Sequence, residues 1–172
     1  YQYIFHLTNQ GFLGGLEHRA STCIAMPNTA NLDLSTLAAH EFFHTWNVKN
    51  IRPAVLGPFD YTRQVRTGNL WFAEGVTDYY AYMNTYRAGM NDIAWLYRVF
   101  SEQIAELQNS PTRLRVPLEE ACKMTWESGG FGYKDLSYYN KGLVVGLLLD
   151  GSIRSASNGS KSLDDVMRAL YE

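Results

Sequence analysis

The sequence predicts one mainly helical domain with a small β portion at its N-terminal end. Three observations predict it. Residues 1–30 carry two strand-like runs, separated by a glycine-rich stretch and closed by Pro27-Asn28. Residues 31–172 carry a succession of apolar patterns at helical spacing, set off by capping residues, glycine and proline. Two of those segments hold chemistry-bearing side chains four residues apart, His40 with His44 and Glu74 with Asp78, a spacing that brings them together on one face of a helix. A chain of 172 residues is long enough for one domain with its own core. The whole of 1–172 is therefore read as one unit, with a β-rich edge and loop at 1–30 and a mainly helical body at 31–172.

Composition narrows the function classes. With 46% hydrophobic and 19% charged residues the chain is globular, not disordered. A net charge of -2 without any basic block argues against a nucleic-acid partner. The longest apolar run, Leu143 to Leu149, is broken by Gly146 and far too short to span a membrane. Cys23 and Cys122 lie in no ligand spacing; two free, buried thiols are favoured over the disulfide that the count alone would allow. The chain opens inside a strand-like run with neither an initiator methionine nor a signal peptide. It reads as a section of a longer protein, its compartment, cytoplasmic or periplasmic, left open.

In chain order, residues 3–8 read as a strand, Gln10 to Leu16 as a glycine-rich loop without phosphate-binding spacing, and Arg19 to Met26 as a second strand. An exposed edge here could pair with an extended peptide. Ser35 or Thr36 is expected to cap a largely buried helix running through Trp46, with Phe43 and Trp46 in the core. Pro53 ends that run, Gly57 to Tyr61 turns, and residues 62–69 loop, with Arg63 and Arg66 in solvent. A second helix starts near Leu70 or Trp71. Asn91 or Asp92 caps a third, from Ile93 to Leu107, and Pro117 opens a short fourth at its first position. Ser128 to Gly132 reads as a flexible loop, Tyr138 to Leu149 as an apolar helix, and Ser162 to Asp165 as a capping box opening the last helix.

The motif His40-Glu41-Phe42-Phe43-His44 is HExxH, in which both imidazoles can face one ion and Glu41 can reach a metal-bound water without being a ligand. A catalytic zinc site needs three protein ligands and an open position. Glu74 and Asp78 sit in a helix that is otherwise nearly all apolar or aromatic, where two unpaired acids would be costly. A metal and a liganding histidine would satisfy both: Glu74 as third ligand, Asp78 as acceptor for the second ring nitrogen of an imidazole. The set of His40, His44 and Glu74 suits Zn2+. An oxyanion donor is still required, and Tyr138 and Tyr139 are both candidates among twelve tyrosines. Glu17 reads equally well as a solvated loop carboxylate.

These stretches, together with Gly14-Gly15-Leu16-Glu17-His18, Thr45-Trp46-Asn47-Val48-Lys49, Ile51-Arg52-Pro53, Pro58-Phe59-Asp60-Tyr61, Leu70 to Gly75 and Tyr138-Tyr139-Asn140-Lys141-Gly142, resemble the glycyl aminopeptidase family of metallopeptidases (peptidase family M61). That family belongs with thermolysin and the M1 aminopeptidases among the gluzincins. The resemblance implies a thermolysin-like gluzincin catalytic domain, with His40, His44 and Glu74 as zinc ligands, Glu41 as base and Asp78 orienting the first histidine. It implies Tyr139 as the transition-state donor and Glu17 as the carboxylate holding a substrate's free amine, although His18 stands where the related motif has asparagine. The implied activity is removal of a small N-terminal residue, glycine or alanine, from a peptide substrate. The implied partners are an N-terminal β domain and a C-terminal PDZ-like domain of the parent protein. Two alternatives stand beside it: a zinc endopeptidase of thermolysin type, and a catalytically inactive peptide-binding fragment.

Overall fold

A computed structural model describes residues 1–29 and 32–172. The boundary expected at residues 30 and 31 lies outside the described residues. Three strands come first: β1 (Gln2–Thr8), β2 (Gly14–Glu17) and β3 (Ser21–Pro27). They form one sheet in the order β1-β3-β2, with β1 parallel and β2 antiparallel to β3. The central strand is the buried one: Thr22 and Ile24 are fully covered, while Tyr3, Ile4, Phe5 and Leu7 of β1 are exposed. The stretch expected to be only a glycine-rich loop thus carries a strand. Leu16 points to solvent, so β2 lacks the apolar alternation by which a strand is recognised.

Helices follow: α1 (Ser35–Phe43), α2 (Val76–Arg87), α3 (Ile93–Asn109), α4 (Leu118–Lys123), α5 (Tyr138–Ala156) and α6 (Leu163–Tyr171). None of them is long and apolar enough to cross a membrane. The molecule is therefore mainly α with a small N-terminal sheet, as the sequence predicts. The start of α1 differs in detail. Ser35 is its first residue, and the Asp33 carboxylate accepts the Ser35 N–H at 2.9 Å, so the stabilising acid stands two residues before it. Within α1 only His40 and Glu41 are buried, and Trp46 is exposed, so the helix is not the apolar core element expected. Phe43 does pack inward, stacked on Tyr80. Pro117 precedes α4 instead of opening it.

The main core lies between α2, α3, α5 and α6, from Val76, Tyr79, Tyr80, Leu96, Phe100, Leu143, Leu163 and Met167. A second cluster joins α4 to the start of α5 through Val116, Ala121, Cys122, Leu136 and Tyr138. Asp92 caps α3 by accepting the Trp95 N–H, and Ser162 with Asp165 forms the expected capping box on α6. Between the loop expected at Ser128 to Gly132 and α5 stands a small hairpin that the sequence reading did not foresee, β4 (Gly132–Tyr133) with β5 (Leu136–Ser137). Both cysteines are free thiols; Cys122 is buried and Cys23 partly so. Arg63 and Arg66 lie on the surface, paired with Asp60 and Glu127.

Candidate active site

Two elements meet at the site. One is α1, whose helical hydrogen bonding continues past Phe43, with Val48 and Lys49 both donating to the His44 carbonyl. The other is a π-helical turn, Trp71–Gly75, that runs directly into α2. Such wide turns inside helices recur at functional sites, because the extra residue re-aims the side chains that follow. Here it carries Glu74. Asn47 clamps the two together: its side-chain amide, in a residue 1% exposed, donates to the Phe72 carbonyl at 2.7 Å and to Thr77 Oγ1 at 3.1 Å.

The three residues assigned as ligands converge. His40 Nε2 and His44 Nε2 are 3.0 Å apart, and they lie 3.2 and 3.3 Å from Glu74 Oε2. Their far ring nitrogens are fixed by groups that can only accept. His40 Nδ1 is 2.7 Å from Asp78 Oδ1, and His44 Nδ1 is 2.6 Å from the Asn47 carbonyl. Each Nδ1 therefore carries the proton, and each Nε2 is turned toward Glu74. Both histidines are buried, at 7% and 2% exposure. Burial alone would push their pKa values down, but the carboxylates of Asp78 and Glu74 for His40, and of Glu74 for His44, outweigh it and raise both. Burial would raise Glu74; the two imidazoles hold it well below the ordinary carboxylate range. The cluster thus attracts positive charge. Tetrahedral ligands about 2.0–2.1 Å from zinc would stand roughly 3.3 Å from one another, close to the separations found. The donor set and its spacing fit a divalent cation.

Around this cluster, Glu41 is 4% exposed and lies beside Gly15 and Thr22 of the sheet. Burial raises its carboxyl pKa, and the neighbouring histidines pull it back. A side chain at position 15 would collide with the Glu41 carboxyl group, 2.2 Å from where a Cβ would stand. The Tyr139 ring lies over His40, centroids 6.2 Å apart and tilted 24°. Burial and the Glu74 charge push its hydroxyl far above the ordinary tyrosine range, which keeps it a donor. Tyr138 stacks on Tyr139, centroids 4.9 Å apart, but its hydroxyl lies 3.2 Å from the Thr125 hydroxyl and it is buried in the second core cluster. A cavity of about 300 Å³ opens over His40, Glu41, Asp78 and Tyr139, walled by Phe12 and Phe131. A larger one, about 410 Å³, lies between Phe43, Trp46 and α6 and reaches none of these groups.

Glu17, at the end of β2, is not a free loop carboxylate. It pairs with Lys49 at 2.9 Å, and one of its oxygens lies with Glu41 and His44 in a group spanning no more than 4.8 Å. His40, Glu41, His44, Glu74, Asp78, Tyr139 and Glu17 are thus brought to one place. Sequence reasoning gave no role to Asn47, Lys49 or Gly15. They stand in the stretches that carry the family resemblance, three and five residues after His44 and two before Glu17, but their residue types alone pointed to no task.

Fold and site together define a class: a helical domain with a two-histidine, one-glutamate cluster able to hold a metal ion in a cleft beside a sheet edge. The chain belongs to the M61 glycyl aminopeptidase family, whose model matches residues 33–145. Among solved structures, an aminopeptidase N family protein from Idiomarina loihiensis matches with a TM-score of 0.88 at 24% identity, over 99% of this chain and 32% of that one. At that identity the likeness is one of fold, and this chain spans about a third of that protein's length. No curated protein sequence matches it.

Proposed function

We propose that this domain is the catalytic part of a zinc-dependent aminopeptidase that releases small N-terminal residues such as glycine or alanine. The observation that carries the reading is the convergence of His40 Nε2, His44 Nε2 and Glu74 Oε2 within 3.3 Å of one another. His40, His44 and Glu74 would hold the ion. When bound, zinc would polarise the scissile carbonyl and make water a stronger acid. Glu41, buried beside the cluster, takes the proton of the attacking water and passes it to the leaving amine. Tyr139 donates its hydroxyl to the oxyanion that develops on the substrate carbonyl. Asp78 and the Asn47 carbonyl hold the two imidazoles in one tautomer and one orientation. Glu17 accepts the substrate's α-ammonium and fixes the cut one residue from the end.

The flanking β and PDZ-like domains belong to the same proposal. The exposed apolar side chains of β1, Tyr3, Ile4, Phe5 and Leu7, support a covering partner there.

Metal analysis combined with paired substrates tests the reading. The protein is expected to hold one zinc per chain, lost in His44→Ala. It is expected to hydrolyse glycyl and alanyl anilides and to leave their N-acetylated forms intact. Cleavage of blocked peptides at internal bonds would replace this reading with an endopeptidase. Absence of bound metal after zinc loading would leave a peptide-binding domain without catalysis.

A further inference from the structure

Glu17 is an unusual amine acceptor because it already has a cation. Lys49 Nζ lies 2.9 Å from Glu17 Oε1, and the two side chains are only 13% and 22% exposed. The lysine is held from three sides. Its backbone N–H donates to the His44 carbonyl at 3.0 Å, so it rides on the same turn as a residue of the metal-binding cluster. Its ammonium sits 5.0 Å from the centre of the Phe59 ring. Arg52 covers that ring as well, at 5.1 Å, and donates to the Lys49 carbonyl. Lys49 is therefore a fixed charge, not a mobile surface lysine.

The need for such a charge is local. Glu17 and Glu41 approach each other beside His44, and two carboxylates so close repel. β2 is an edge strand and Glu17 is its last residue, so within the sheet its backbone is fixed by β3 alone among the described strands. Lys49 opposes the repulsion through one carboxylate oxygen. A carboxylate offers about four lone-pair sites, so the other oxygen stays free to accept an amine.

We propose that Lys49 is the positioning residue that holds Glu17 in register to receive the substrate's α-ammonium, and so sets the preference for a free N-terminus. The inference rests on the aminopeptidase reading and deepens it. Two small hydroxamates test it on the zinc-loaded full chain, glycine hydroxamate with the amine and acetohydroxamate without it. Both offer the same metal-binding group, so the ratio of their inhibition constants reports the amine alone. The unsubstituted protein is expected to favour glycine hydroxamate. In Lys49→Met that preference falls at least about fivefold, with zinc content unchanged, and Lys49→Arg restores most of it. In a Glu17→Gln background, Lys49→Met has no further effect, because the lysine acts only through the glutamate. Lys49→Gln is a second neutral variant if the methionine protein does not fold. A preference that survives in the neutral variants overturns the role of Lys49 alone. Absence of any preference in the unsubstituted protein overturns the amine-binding reading of Glu17, and this role with it.

Discussion

Glu41 shows how one side chain's task follows from where it is kept. It is 4% exposed and lies between the cluster histidines and the backbone of Gly15, with the Thr22 hydroxyl beside it. On the proposed reading, a carboxylate in that setting serves as the base. Glu41→Gln keeps the shape and removes the basicity. Peptidase activity is expected to fall by about a hundred- to ten-thousand-fold, the range general acid–base groups contribute, while zinc content is unchanged. Full activity in that variant would exclude Glu41 as the base. On the same reading Asp78 acts one step further out, through the His40 Nδ1 it contacts. Asp78→Ala should weaken zinc binding or activity by about ten- to a hundredfold, as loss of such an orienting partner does elsewhere. Competition against a zinc chelator would measure it, and an unchanged affinity with unchanged activity would remove Asp78 from the site.

The helices owe their relative positions to close backbone contact. A Cβ at Gly142 would stand 2.5 Å from the Trp71 carbonyl, and one at Gly75 would stand 2.6 Å from the Gly142 Cα. Through this glycine contact α5 lies directly against the π-helical turn, and it brings Tyr139, one turn before Gly142, to Glu74, one residue before Gly75. Lys141 and Asn140 fasten the same end of α5, donating to the Arg113 and Val116 carbonyls and to Gln103. Gly142→Ala is expected to cost about 1–3 kcal/mol through overpacking. It should also lower kcat more than tenfold, since an ångström of misplacement at a reacting group can cost a hundredfold. A stable, fully active variant would show that this contact does not set Tyr139. The His40–His44 and Glu74–Asp78 spacings were legible because helical periodicity is local. So were the caps Asp92 and Ser162, whose partners lie within three residues. The π-helical turn was not legible, because the residues 71–75 that form it read like the start of any apolar helix. Nor was β2, which pairs with β3 through its backbone while Leu16 faces out. The choice of Tyr139 over Tyr138 depends on which way α5 is rotated against α1, a fact of packing between distant segments. Resemblance to the family supplied that choice where the residues by themselves left it open.

The molecule as a whole is tied together far from the cluster, by one buried acid. Asp150, 6% exposed on α5, accepts from the Tyr79 hydroxyl of α2 at 2.8 Å, from the Leu163 N–H at the start of α6 at 2.7 Å, and from Arg154 at 2.7 Å. Burial would raise its pKa, but Arg154, the Leu163 N–H and Tyr79 outweigh it and hold the pKa below the ordinary aspartate value. A depressed carboxyl pKa stabilises the folded chain fully above the unfolded pKa, about 3.9 for aspartate, and that contribution is lost as pH falls through the folded value. Asp150→Ala leaves the Tyr79 hydroxyl and the Leu163 N–H without their acceptor. Tyr79 and Leu163 are buried, and each donor left unsatisfied costs about 1–3 kcal/mol, which together, for a chain of this length, corresponds to a drop in Tm of roughly 10 °C. Thermal unfolding of both proteins from pH 7 to pH 3 gives the sign. The gap in Tm should be constant at neutral pH and shrink below about pH 4, where the unfolded aspartate takes up a proton while the native carboxylate, with its lower pKa, still resists it. A gap as wide at pH 3 as at pH 7 would mean that Asp150 acts by shape and not by charge. Because Asp150 joins α2, α5 and α6 and touches none of the cluster residues, zinc affinity in the folded variant should match that of the unsubstituted protein. The scaffold and the site would then be separable by measurement.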